Sequence, residues 1–156
     1  MHIIAAKAVA FKEAATSEFK DYQKRIIENA RCFCDEFTEL GLRVVAKGTD
    51  THLLLVDLRN ISITGKKASQ LLESINITIN KNLIPYDPKS ASVTSGIRIG
   101  TPAITTRGMA KQEIKDISRI IYDCLINRDN KEIINKLKLQ VRQIIEKFPL
   151  YPEIEI

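Results

Sequence analysis

The sequence predicts an α+β fold, a small sheet layered with helices, and three observations carry that reading. Apolar residues recur every three or four positions over 17–40 and again over 111–148, the period of a half-buried helix. Between these stretches lie short apolar runs at 42–47, 52–58, 76–80 and 96–100, of strand length and rich in β-branched residues. Gly, Pro, Asn and Asp punctuate the gaps between them. The coarse order is α-α-β-β-α-β-β-α-α, which makes a sheet covered by helices.

Each element has a local cause. Residues 3–15 read as a helix without a capping residue and apolar on most faces (Ile3, Ile4, Val9 and Phe11 among them), so burial against something else is expected. Ser17 is placed to cap the next helix, whose stripe runs Phe19, Tyr22, Ile26, Ala30, Phe33, Phe37, and Gly41 ends it in a left-handed conformation. LRVVAK and HLLLVDL form two strands around a turn at 48–51. Thr64 caps a helix reaching about Ser74, NITIN (76–80) is extended, and a polar loop with Pro85 and Pro88 leads to the strand GIRIG. After Gly108, Ile114, Ile117, Ile121 and Leu125 make one helical stripe. After Asp129, Ile133, Leu137, Val141, Ile144 and Phe148 make another, stopped by Pro149.

Composition narrows the class. A chain of 156 residues with 44% hydrophobic and 28% charged residues is one domain with a packed core. No apolar run approaches the ~20 residues that span a bilayer, and MHIIAAKAVAFKEAA lacks the basic region and clean apolar run of a secretory signal. Three cysteines, an odd number, point to reduced thiols and a cytoplasmic protein. Cys32 and Cys34 diverge on a helix, and with only His2 and His52 to add, no metal site is expected. The net charge of +5 is spread over helices that also carry acids, as in KDYQKRIIENAR, which reads as solvated faces. Without Trp or an aromatic-rich strand, a nucleic-acid partner is not expected.

Three stretches bear chemistry. In TSGIRIGTPAITTRG (94–108), Arg98 alternates with Ile97 and Ile99, and flanking glycines admit another backbone or a ligand. A guanidinium held there can grip a carboxylate or phosphate with paired hydrogen bonds, whereas spacing alone also allows a surface ion pair. In GTDTHLLLVDL, Asp50 and His52 are either an acid–base pair or ordinary turn chemistry. In NKN, Asn80 and Asn82 offer amides to a heterocycle or to the loop, and nothing around Lys81 marks it as a nucleophile.

Taken in order, HIIAAKAVAFKEA, GTDTHLLLVDL, ITGKKA, NITINKNLIPYDP and TSGIRIGTPAITTRG resemble the C-terminal part of serine (glycine) hydroxymethyltransferases. The resemblance runs over nearly the whole chain. It implies the C-terminal small domain of the pyridoxal-phosphate-dependent, aspartate-aminotransferase-like fold over 17–156, with 1–16 a helix leading in from a large domain not in this sequence. It implies transfer of the serine hydroxymethyl carbon to tetrahydrofolate, giving glycine and methylenetetrahydrofolate, by a cytoplasmic homo-oligomer that needs neither membrane nor nucleic acid. By the same resemblance Arg98 holds the substrate carboxylate, Asn82 and Ser92 contact folate, and Arg107 and Ser95 support the site. The family's Schiff-base lysine follows a Thr-Thr-His stretch that does not occur here, so no catalytic residue is expected in this chain, nor bound pyridoxal phosphate, and the chain alone is expected to be inactive. Ala91 and Ser92 stand where Pro and Phe are common in the family, and Thr51 where Asn is common. The alternative is a stand-alone basic α+β module for binding or dimerisation.

Overall fold

The computed structural model describes residues 1–150. Helix α1 (His2–Ala14) and helix α2 (Ser17–Glu39) precede strand β1 (Arg43–Val44) and strand β2 (Leu53–Asp57). Helix α3 (Gly65–Ser74), strands β3 (Asn80–Asn82) and β4 (Gly96–Gly100), and helices α4 (Pro102–Thr106), α5 (Lys111–Ile126) and α6 (Lys131–Lys147) follow. The four strands form one antiparallel sheet in the order β1-β2-β4-β3. The α+β class expected from the periodicities is the architecture observed.

One face of the sheet makes the core. Leu54, Val56, Ile97 and Ile99 point into a cluster with Phe33 and Phe37 of α2, Leu72 of α3 and Ile114, Ile121 and Leu125 of α5. Burying side chains of this size contributes roughly 1.5–3 kcal/mol each, so the stripes on α2 and α5 are what hold helices on the sheet. Helix α6 adds Leu137 and Val141 to the edge of the same cluster. Helix α1 buries no residue, and its Ile3, Ile4, Val9 and Phe11 are exposed.

The structure corrects four local expectations. Thr16, not Ser17, caps α2: its Oγ1 accepts from the Phe19 N–H at 3.2 Å. The first strand stops at Val44 because Ala46 and Lys47 turn left-handed (φ 59° and 58°), which takes the chain out of the sheet. Residues 76–79 are not strand. Asn76 is left-handed (φ 67°) and the Ile77 N–H returns to the Leu72 carbonyl at 3.0 Å, so this stretch terminates α3 and only Asn80 enters the sheet. Helix α4 was not expected, being too short to show a period; Pro102 at its first turn is its sequence signal.

Candidate functional site

The second face of the sheet carries no helix stripe, and the pleat decides what it presents. Ile97 and Ile99 are buried on the core side, so Arg98 between them stands on the open side, exposed. Register places Arg98 between Leu55 of β2 and Asn80 of β3. The adjacent row of the same face reads Arg43, Asp57, Gly96, Asn82. Asn82 is thus a diagonal neighbour of Arg98, at the ~7–8 Å spacing of such pairs. Gly96, in the centre of that row, keeps the strands close: a Cβ there would come within 2.5 Å of Ile84 Cγ2 and 2.9 Å of the Val56 carbonyl.

Charge on this face is sorted by Asp57. Its side chain is 2% exposed and accepts from Arg59 Nε at 3.0 and 3.1 Å and Arg59 Nη2 at 2.8 Å, with Arg43 Nη1 at 3.4 Å. Burial pushes this carboxyl up, but the Arg59 side-chain and backbone hydrogen bonds, with both guanidinium charges, outweigh it and hold Asp57 below the usual carboxylate range. Arg43 and Arg59 are therefore occupied. Arg98 makes no ion pair among the described residues.

The loop 83–95 leaves β3 and returns to β4 around one carboxylate. Asp87 accepts from the Ile84 N–H (3.2 Å), the Lys89 N–H (2.9 Å), the Ser95 N–H (2.8 Å) and the Ser95 hydroxyl (2.7 Å). Partial burial raises this carboxyl, but donors from Lys89, Ser95 and Ile84 outweigh it and push it down to about 2. The folded value lies below the ordinary 3.8, so the contribution of Asp87 is full above that value and fades as pH falls through about 2. Amide protection of Ile84 and Ser95, followed by hydrogen exchange, is expected to hold down to about pH 4 and to be lost between about pH 4 and 2. Protection already lost at about pH 5 would contradict this assignment. The sequence signal for Asp87 was available, an Asp between two prolines in a turn, but pointed only to a loop.

The other sequence-derived residues fall as follows. Ser95, buried beside β4, spends its hydroxyl on Asp87. Ser92 is exposed, its hydroxyl is 2.9 Å from that of Ser90, and its carbonyl accepts from Lys81 Nζ at 3.2 Å. Asn82 donates its amide to the Leu83 carbonyl at 2.7 Å. Arg107 is not brought to Arg98. It ends α4, donates Nε to the Phe148 carbonyl at 2.7 Å, and lines a cavity of about 170 Å³ with Ile104, Ile117, Val141 and Ile144. Asp50 pairs with Arg31 at 3.2 Å rather than with His52, and the turn it sits in is tied by Thr49 Oγ1, which donates to the Leu53 carbonyl at 2.6 Å. Burial pushes the Cys34 and Cys124 thiols up to about 11, so neither is a nucleophile at neutral pH. Among the described residues no cluster of His, Cys, Asp or Glu is arranged to hold a metal ion, and no helix is long and apolar enough to cross a membrane.

Comparison with known proteins converges on one family. A sequence model of serine hydroxymethyltransferases matches residues 1–121. Serine hydroxymethyltransferase of Nostoc punctiforme (strain ATCC 29133 / PCC 73102) is 50% identical over 155 residues, 99% of this chain. The enzyme of that name from Nostoc sp. (strain PCC 7120 / SAG 25.82 / UTEX 2576) is 49% identical over the same length. The chain spans 36% of the length of each of these relatives. With the family model covering most of the chain and the identities extending over nearly all of it, this chain belongs to the serine hydroxymethyltransferase family.

Proposed function

We propose that this chain is the C-terminal small-domain portion of a pyridoxal-phosphate-dependent serine hydroxymethyltransferase, with residues 1–16 leading in from a large domain. In this reading Arg98 holds the carboxylate of serine or glycine, and Asn82 and Ser92 take the polar edge of the folate co-substrate. The observation that supports it is Arg98 itself, exposed on a rigid strand, flanked by Gly96 and Gly100, and without an ionic partner among the described residues. Guanidinium geometry suits a planar carboxylate, and the strand fixes where the amino acid lies. Ser95 supports the site by holding the start of β4, and Arg107 by holding the end of α6 to α4.

Pyridoxal phosphate, when bound, draws electrons from the α-carbon of the amino acid. The described residues do not fit its aldehyde. Every lysine among them is exposed, and the two lysines whose pKa is displaced, Lys24 and Lys115, are held up by acidic partners. A lysine suited to bonding a carbonyl is buried and pushed down instead. The chain therefore contributes orientation of the amino acid and folate, and by itself is inactive. The homo-oligomeric and cytoplasmic character of the enzyme belongs to the same proposal.

A chimera tests it: this chain in place of the matched region of the Nostoc punctiforme enzyme, assayed for serine-dependent hydroxymethyl transfer to tetrahydrofolate. Turnover within about tenfold of the parent is the expected result, because identity near one half preserves fold and site geometry. A folded chimera that binds cofactor but does not turn over serine would count against the proposal. So would a stoichiometric lysine-bound cofactor band in the 156-residue chain alone.

A further inference from the structure

We infer that Asp87 is a positioning residue that holds the β3–β4 pair in the register that makes Asn82 and Arg98 diagonal neighbours, and so couples the folate side of the site to the amino-acid side; this rests on the roles proposed above for those two residues.

Asn82 ends β3 and Arg98 lies mid-way along β4; the two strands pair directly, Asn82 opposite Gly96, and the loop 83–95 connects them. The carboxylate of Asp87 bridges that loop at its two ends. It accepts from Ile84, two residues after Asn82, and twice from Ser95, three residues before Arg98. Ser95 is in turn fixed to β2, because its carbonyl accepts from the Leu58 N–H at 2.9 Å. One side chain thus ties the exit of β3, the entry of β4 and the end of β2 to a common point.

The turn that carries Asp87 shows how firmly this shape is imposed. The Asp87 N–H donates to the Ile84 carbonyl at 3.1 Å, closing a tight turn with Pro85 and Tyr86 in the middle. Tyr86 is left-handed (φ 55°) and 99% exposed. A side chain other than Gly or Asn at that position costs about 1 kcal/mol, and an exposed ring recovers none of it by burial in this domain. Tyr86 therefore does not choose the turn; Pro85 and the Asp87 contacts choose it. Asp87 is ionised at neutral pH, so its hydrogen bonds from Ile84, Lys89 and Ser95 are charge-assisted.

Asp87→Asn keeps the volume, removes the charge and leaves one acceptor oxygen where the carboxylate has two, so the Ile84, Lys89 and Ser95 donors can no longer all be satisfied. In the chimera it is expected to raise KM for serine and KM for tetrahydrofolate together, each about tenfold, with kcat within about twofold, because misplaced binding groups cost affinity on both sides. A merely structural lesion lowers the active fraction, hence kcat, and leaves both KM values in place. Ser95→Ala, which removes only the 2.7 Å hydroxyl bond, is the milder second variant, with both KM values up about threefold. In the 156-residue chain, Asp87→Asn should speed amide exchange at Ile84 and Ser95 together, by about a hundredfold. Faster exchange with both KM values unchanged would overturn the inference, as would unchanged exchange. Arg98→Lys, which is expected to move serine kinetics alone, separates the two levels: if it has no effect, the role given to Arg98 is wrong, whatever Asp87 does.

Discussion

Arg98→Lys in the chimeric enzyme is expected to lower kcat/KM for serine about a hundredfold, and Arg98→Ala about a thousandfold, equivalent to roughly 3 and 4 kcal/mol of transition-state binding. Lysine keeps the charge but loses the fork that matches both carboxylate oxygens, so it recovers only part of the grip. KM for tetrahydrofolate should stay within about twofold, since Arg98 faces the amino acid alone in the proposed arrangement. Folding should be little affected. Arg98 is exposed and has no ion pair to lose among the described residues, so its replacement belongs with surface substitutions, within about 0.5 kcal/mol. Initial-rate kinetics with serine varied, alongside thermal melts of the same preparations, decide the matter. Unchanged serine kinetics would remove Arg98 from the substrate site.

Gly65→Ala is expected to be the most damaging small substitution for the fold, costing about 3 kcal/mol and lowering Tm by about 10 °C. Gly65 opens α3, and its N–H donates to the Thr94 carbonyl at 3.0 Å while Lys66 donates to Val93 at 2.9 Å. These bonds satisfy the first amides of the helix and pin it to the chain entering β4. A Cβ on Gly65 would overlap Thr94 Oγ1 and the Gly96 carbonyl oxygen. One of these is backbone of the central strand, so nothing flexible can yield, and either α3 or β4 must shift. Because β4 carries Arg98, the shift would also reach the open face. Thermal unfolding of the 156-residue chain measures the loss, and a Tm within about 2 °C of the parent would show that α3 has more room than its contacts imply.

How much of this was legible beforehand depended on the range of the interaction. The helices α2, α5 and α6 and the strands β2 and β4 were legible because period and burial are written in consecutive residues: Ile97 and Ile99 inward, Arg98 outward. Strands β1 and β3 were misjudged in extent. Their apolar residues, Val45, Ile77 and Ile79, are half-buried without ladder pairing, Ile77 and Ile79 against the hydrophobic core, and composition does not distinguish the two kinds of burial. That NKN lies beside GIR follows from antiparallel register, which sets Asn80 opposite Arg98 and Asn82 opposite Gly96.

By itself the sequence determined the class of fold, the helix stripes and the outward direction of Arg98, because each follows from backbone periodicity and the preference of apolar surface for burial. Only the tertiary structure decided which charges are left over. Asp57 takes Arg43 and Arg59, Asp87 takes the amides of its own loop and of Ser95 at the entry to β4, Arg107 turns to the end of α6, and Arg98 alone of these arginines has neither an ion pair nor a hydrogen-bond partner for its guanidinium among the described residues. Arg43–Asp57 and Arg107–Phe148 join residues well separated in the chain, and the strength of all these pairings depends on burial and on angles that no linear pattern encodes.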